Sequence, residues 1–146
     1  MSKLTLRYEY DRSFFDQTLL PDDLGRLSIA VETDHFAGRG GFSVQWQAVK
    51  KFGEAPATYP IEPDSPIRAQ WGFNMLEGDD LILRIEIAPA NRRGDLIARI
   101  EVAYDRDPQQ RVRASFMTNY PQLETFGAEI AGLMNAGFGE AVLTGS

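Results

Sequence analysis

The chain has 146 residues, a formal net charge of −6 and no cysteine, with 43% hydrophobic and 25% charged residues. That balance fits one folded domain, residues 1–146, and excludes a disordered chain. The missing thiols exclude disulfides, thiol catalysis and thiolate metal sites.

The N-terminal stretch "LTLRYEY" alternates with the period of two that marks a half-buried strand, placing Leu4, Leu6, Tyr8 and Tyr10 on one face. Residues 11–25, "DRSFFDQTLLPDDLG", read as a long irregular connection. "LSIAVET" then sets Leu27, Ile29 and Val31 inward, and "FSVQW" does the same with Phe42, Val44 and Trp46. Between them "TDHFAGRGGF" reads as a glycine-rich turn or bulge, since glycine accepts positive φ. "WQAVKKF" spaces Trp46, Val49 and Phe52 for a short helix. Residues 54–66 carry four prolines, which rules out a regular helix or a central strand.

Four further strands follow. "IRAQWGF" sets Ile67, Ala69, Trp71 and Phe73 inward, and "LILRIEI" sets Leu81, Leu83, Ile85 and Ile87 inward. "LIARIEVAY" offers Leu96, Ala98, Ile100, Val102 and Tyr104, and "RVRASFMT" offers Val112, Ala114 and Phe116. "RIEI" at 84–87 recurs as "RIEV" at 99–102, separated by "APANRRGD". Folding this as a hairpin centred between Arg92 and Arg93 sets Arg84 against Glu101 and Glu86 against Arg99. On the other face it sets Ile85 against Ile100 and Leu83 against Val102. One register satisfies both faces, and a slip of one residue spoils both. A second turn, "DRDPQQ", brings Arg113 beside Glu101. The expected result is an antiparallel meander with a charged, solvated face. "PQLETFGAEIAGLMNAG" closes the series as a helix, with Leu123, Phe126, Ile130, Leu133 and Met134 at three- and four-residue steps. The fold class is therefore α+β: a curved, mostly antiparallel sheet of about seven strands, a C-terminal helix and a short helix near 46–53.

Chemistry-bearing motifs are sparse. The single histidine, His35, has no "GxSxG" elbow to serve and no second histidine for a hydrolytic zinc site. The glycines at 38, 40 and 41 lack the Lys-Ser or Lys-Thr of a phosphate loop, and Ser43 stands where a dinucleotide fingerprint needs glycine. The acidic pairs Asp22-Asp23 and Asp79-Asp80 suit turns, and "DRD" at 105–107 lacks calcium-loop spacing. No catalytic residue, metal or cofactor is expected. The 15 Lys and Arg residues are scattered through an acidic chain, which argues against nucleic acid. No apolar run has signal-peptide or bilayer length, so the sequence reads as cytoplasmic and away from membranes.

Three segments carry a family resemblance: "LSIAVETDHFAGRGGFSVQWQAVKKF", "GDDLILRIEIAPANRRGDLIARIEVAY" and "RVRASFMTNYPQLETFGAEIAGL". Together they resemble the WapI-type bacterial immunity proteins and related uncharacterised bacterial domains. The shared outline is an aromatic-Xaa-Gly turn (Phe36, Ala37, Gly38), a Gly-containing turn near Arg93 and Gly94, and a Leu123 to Phe126 step. The resemblance spans about residues 27–134. It implies a non-enzymatic protein that neutralises a toxin domain by direct contact, the partner being a basic nuclease-like domain. Loop placement then points to Phe14, Phe15, Asp22, Asp23, Tyr59, Glu62 and Asp64 as contact residues, aromatic anchors among charge. Two alternatives stand beside this one. The first is a self-associating or adaptor domain. The second is a small-ligand binder or enzyme with a pocket between sheet and helix.

Overall fold

The computed structural model describes residues 1–10, 24–136 and 138–146, except for the side chains of residues 10 and 138. The predicted α+β class is what the chain adopts, the described residues forming two four-stranded antiparallel sheets and two α-helices. The strands are β1 (Ser2–Tyr10), β2 (Leu24–Glu32), β3 (Ala37–Gln45), β4 (Ile67–Gly72), β5 (Leu81–Pro89), β6 (Asp95–Tyr104), β7 (Asp107–Asn119) and β8 (Phe138–Gly145). The helices are α1 (Trp46–Glu54) and α2 (Tyr120–Ala136). The first sheet has the order β3-β2-β1-β8 and the second β4-β5-β6-β7. Among the described residues no helix is long and apolar enough to cross a membrane.

Period two decides which side chains meet. Leu4, Leu6 and Tyr8 of β1 join Leu27, Ile29 and Val31 of β2 and Ala141 and Leu143 of β8 in one core. From the second sheet come Leu83, Ile85 and Ile87 of β5, with Leu96, Ala98, Ile100 and Val102 of β6. Tyr8 keeps its hydroxyl satisfied in this interior by donating to the carbonyl of Val44, 2.8 Å away. Phe42, Trp46 and Trp71 are only half-buried, and Phe73 lies beyond the end of β4 at 45% exposure. Tyr10 lies outside the described side chains. Of the connection expected over residues 11–25, residues 11–23 lie outside the described ones, and residues 24 and 25 already belong to β2.

The glycine-rich stretch departs from its expected role. It is strand, not turn: the turn is Thr33–Phe36, where the Thr33 hydroxyl accepts from the amides of His35 and Phe36. Gly38 and Gly40 share the inward alternation of Phe42 and Val44, facing the second sheet. A Cβ on Gly40 would stand 2.5 Å from the Ala103 carbonyl oxygen, and one on Gly38 would stand 2.7 Å from the Val112 side chain. The glycines therefore serve close approach between sheets, a requirement that comes from β6 and β7 and not from their own neighbours in the chain.

Helix α2 packs Leu123, Phe126 and Ile130 at zero exposure, each worth about 1.5–3 kcal/mol of apolar burial. Val49 and Phe52 of α1 complete this side, with the Phe52 ring edge-on to Phe126 and Trp71. An eighth strand, which the sequence reading omitted, follows the helix and pairs with β1. Its other edge is covered by α2: the amide of Val142 donates to the Glu129 carboxylate at 3.0 Å, and the Thr144 hydroxyl donates to Gln122 at 2.7 Å. Backbone bonds in both directions between Met117 and Ser146 join the margins of the two sheets.

Substitution at two glycines separates these roles. Gly40→Val should lower stability by about 2 kcal/mol or more through overpacking. Gly132→Ala, at a helical position with open space around it, should raise stability by about 1 kcal/mol. Thermal unfolding of the two variants checks both signs.

Candidate functional site

The predicted hairpin register is observed pair for pair: Arg84 opposite Glu101, Glu86 opposite Arg99, Ile85 opposite Ile100 and Leu83 opposite Val102. Because β4 and β7 flank this hairpin in register, Arg68 falls opposite Glu86, Gln70 opposite Arg84, and Arg113 opposite Glu101. Ser115 falls opposite Arg99. The side of the second sheet turned away from the core therefore carries Arg68, Arg84, Arg99, Arg111 and Arg113, with Glu86 and Glu101 interleaved and Asp95 at its margin. Five guanidiniums against three carboxylates leave two positive charges uncompensated, in a chain whose overall charge is −6.

This face is not uniformly solvated, contrary to the sequence expectation. The Glu101 side chain is only 8% exposed and lies beneath three guanidiniums: Arg111 at 2.6 Å, Arg113 at 3.3 Å and Arg84 at 3.7 Å. Arg111 is itself 14% exposed and also donates to the Pro108 carbonyl at 3.1 Å. Arg84 is held from its other side by Gln70 at 2.9 Å. Glu86 forms a second, shallower centre, with Arg68 at 2.7 Å and Arg99 at 3.4 Å. Desolvating a carboxylate costs several kcal/mol, and the paired guanidiniums offset that cost only when geometry is good. Glu101 meets the condition through charge-assisted contacts to both its oxygens.

The guanidiniums differ in how firmly they are held. Arg111 is locked beneath the surface, whereas Arg99 and Arg113 are 55% and 77% exposed, and each reaches a carboxylate through one nitrogen. Between them lies an open depression of about 370 Å³, lined by Arg84, Arg99, Glu101, Arg113 and Ser115. Such an arrangement presents oriented N–H donors and positive charge to an anionic group.

None of the sequence-derived contact residues that are described lies on this face. Phe14, Phe15, Asp22 and Asp23 lie outside the described residues. Tyr59, Glu62 and Asp64 are all exposed on the loop between α1 and β4. That loop is pinned where the Ile61 amide donates to the Tyr120 hydroxyl at 3.0 Å and the Tyr59 ring meets Tyr120 edge-on. A hollow of about 420 Å³ separates it from the β5–β6 turn, with Arg92 and Arg93 on the far wall. His35 is exposed in the Thr33–Phe36 turn, and its neighbour Asp34 pairs with the N-terminal amine at 3.2 Å. Among the described residues no three His, Asp or Glu side chains gather as a metal-ligating group. The sequence placed Arg84, Arg99 and Arg113 on a charged face, but the excess of arginine there and the burial of Glu101 were not foreseen.

Comparison with family models, curated proteins and solved structures finds no match to this chain.

The layered burial sets an order of stability effects. Glu101→Gln should cost about 2 kcal/mol, because it strips the charge from a carboxylate bonded by several guanidiniums. Arg113→Gln should cost less than about 1 kcal/mol, since its side chain is mostly solvated. Urea unfolding of the two variants tests the order, and a larger loss for Arg113→Gln would refute it.

Proposed function

We propose that this protein is a non-enzymatic binding protein that works by surface contact, and that its working surface is the arginine face of the second sheet. The observation that carries the reading is the surplus of guanidiniums over carboxylates there, held in place around the buried Glu101. Arginines fixed by partners lose little further freedom on binding, so more of each contact survives as affinity. The matching partner is an acidic protein surface. This changes the partner chemistry from the basic domain implied by the family resemblance while keeping contact as the mode of action. Steering by complementary charge would speed the encounter and make it salt-sensitive.

A fluorescently labelled oligoglutamate peptide provides the test by anisotropy. Binding should weaken several-fold between about 25 and about 200 mM salt, as screening lengths shorten. It should be lost in the double variant R99E/R113E. Equal binding of an oligolysine peptide, or an unchanged affinity in the double variant, would refute the arginine face as the working surface.

A second reading rests on a different observation, the gathering of exposed Tyr59, Glu62 and Asp64 on one loop. An aromatic anchor beside two carboxylates suits a basic partner, which is the toxin domain of an immunity pair. Co-expression with a toxin domain encoded beside this chain tests it. Protection should be lost in Y59A/E62K/D64K, and toxicity undiminished by the unaltered chain would refute this reading.

A further inference from the structure

The depression over Ser115 has a chemistry narrower than general affinity for acid. Its corners are Arg99 and Glu101 on β6, and Arg113 and Ser115 on β7, as two directly opposed pairs. Adjacent strands stand about 4.8 Å apart, and same-face neighbours along a strand about 6.8 Å apart. Two guanidiniums and one hydroxyl therefore line an open depression of about 370 Å³, roomy enough for a phosphate and the side chain that carries it. The donors come from two strands, Arg99 from β6 and Arg113 and Ser115 from β7. A planar carboxylate offers two oxygens to them, whereas a phosphate monoester offers three on a tetrahedron, with a charge near −2 at neutral pH.

The adverse neighbour lining the depression is the Glu101 carboxylate, and Glu86, paired with Arg99 at 3.4 Å, stands outside it. The Oε2 of Glu101 is bonded by Arg111 at 2.6 Å, and its Oε1 is shared by Arg113 and Arg84. Its charge is thus already answered by three guanidiniums. Arg113 and Arg99 keep most of their five donors apiece for a visitor, since Arg113 reaches Glu101 through Nε and Arg99 reaches Glu86 through Nη1.

We propose that this depression is a seat for a phosphorylated serine or threonine side chain carried by the acidic partner, held by Arg99, Arg113 and the Ser115 hydroxyl. The proposal rests on the arginine-face reading and narrows it: flanking acids of the partner lie along the outer arginines, and the phosphate selects the register.

Three peptides of one acidic sequence decide it, carrying at the central position phosphoserine, glutamate or serine. The phosphoserine peptide should bind about tenfold or more tighter than the glutamate peptide, and Ser115→Ala and Arg113→Lys should each remove several-fold of that preference. Both changes sit at exposed positions, and unaltered melting temperatures would show that the fold persists. Equal binding of the phosphoserine and glutamate peptides would overturn the phosphate seat and leave the acidic-partner reading standing. No binding of any peptide would overturn both. Inorganic phosphate binding as tightly as the phosphopeptide would overturn the partner as its source.

Discussion

The register of β5 against β6 is the constraint on which this molecule depends. Side chains alternate across a strand, so one pairing decides at once what lies inside and what lies outside. With Ile85 opposite Ile100 the inner face is continuous hydrocarbon, and Arg84 then has to fall opposite Glu101. Shifting by one residue would drive arginine into the core and isoleucine into water. The core and the charged face are thus one fact seen from two sides, and neither could be altered independently by sliding the strands. Strands β4 and β7 inherit the register and extend it, bringing Arg68 and Arg113 onto the same surface.

Within that surface Glu101 has a role that its partners do not share. A carboxylate so nearly removed from water is unfavourable alone, and an arginine cluster is unfavourable alone through mutual repulsion. Each relieves the other. The relief is unequal, because Arg111 and Glu101 are both sheltered while Arg113 is largely solvated. Stability is therefore concentrated at the bottom of the cluster and availability at its top. Deep groups fix the geometry, and shallow groups retain donors for another molecule. The same logic explains why counting ion pairs would mislead here: the exposed pairs contribute little to folding, yet they hold side chains in a binding-ready arrangement.

Legibility in the sequence followed the range of the interactions involved. The β5–β6 pairing could be read because two short, doubly patterned strands lie a turn apart, with Gly94 at φ +94° in the turn. Helix α2 could be read because Leu123, Phe126, Ile130 and Leu133 repeat at helical spacing over many residues. The role of Gly38 and Gly40 could not, since the atoms that require them belong to Ala103 and Val112, more than sixty positions away. Strand β8 did alternate, with Ala141 and Leu143 inward, but its place depends on β1 at the opposite end of the chain. The arginine face fell between these cases. Each local pair was visible, while their sum required the order β4-β5-β6-β7 that no single window contains.

That sum also shows why net charge is a poor guide to partners. A net charge of −6 by itself suits basic targets, and the individual arginines are scattered along the chain. Strand pairing is what collects them, because every second residue of neighbouring strands is projected onto one plane. Charge that is dilute in sequence becomes dense on a face only about four strands wide, and the field a partner meets at contact is that of the face. At separations beyond roughly 8–10 Å in physiological salt the remaining acidic surface is screened and contributes little at that face. A chain of net negative charge can therefore carry a cationic face without contradiction.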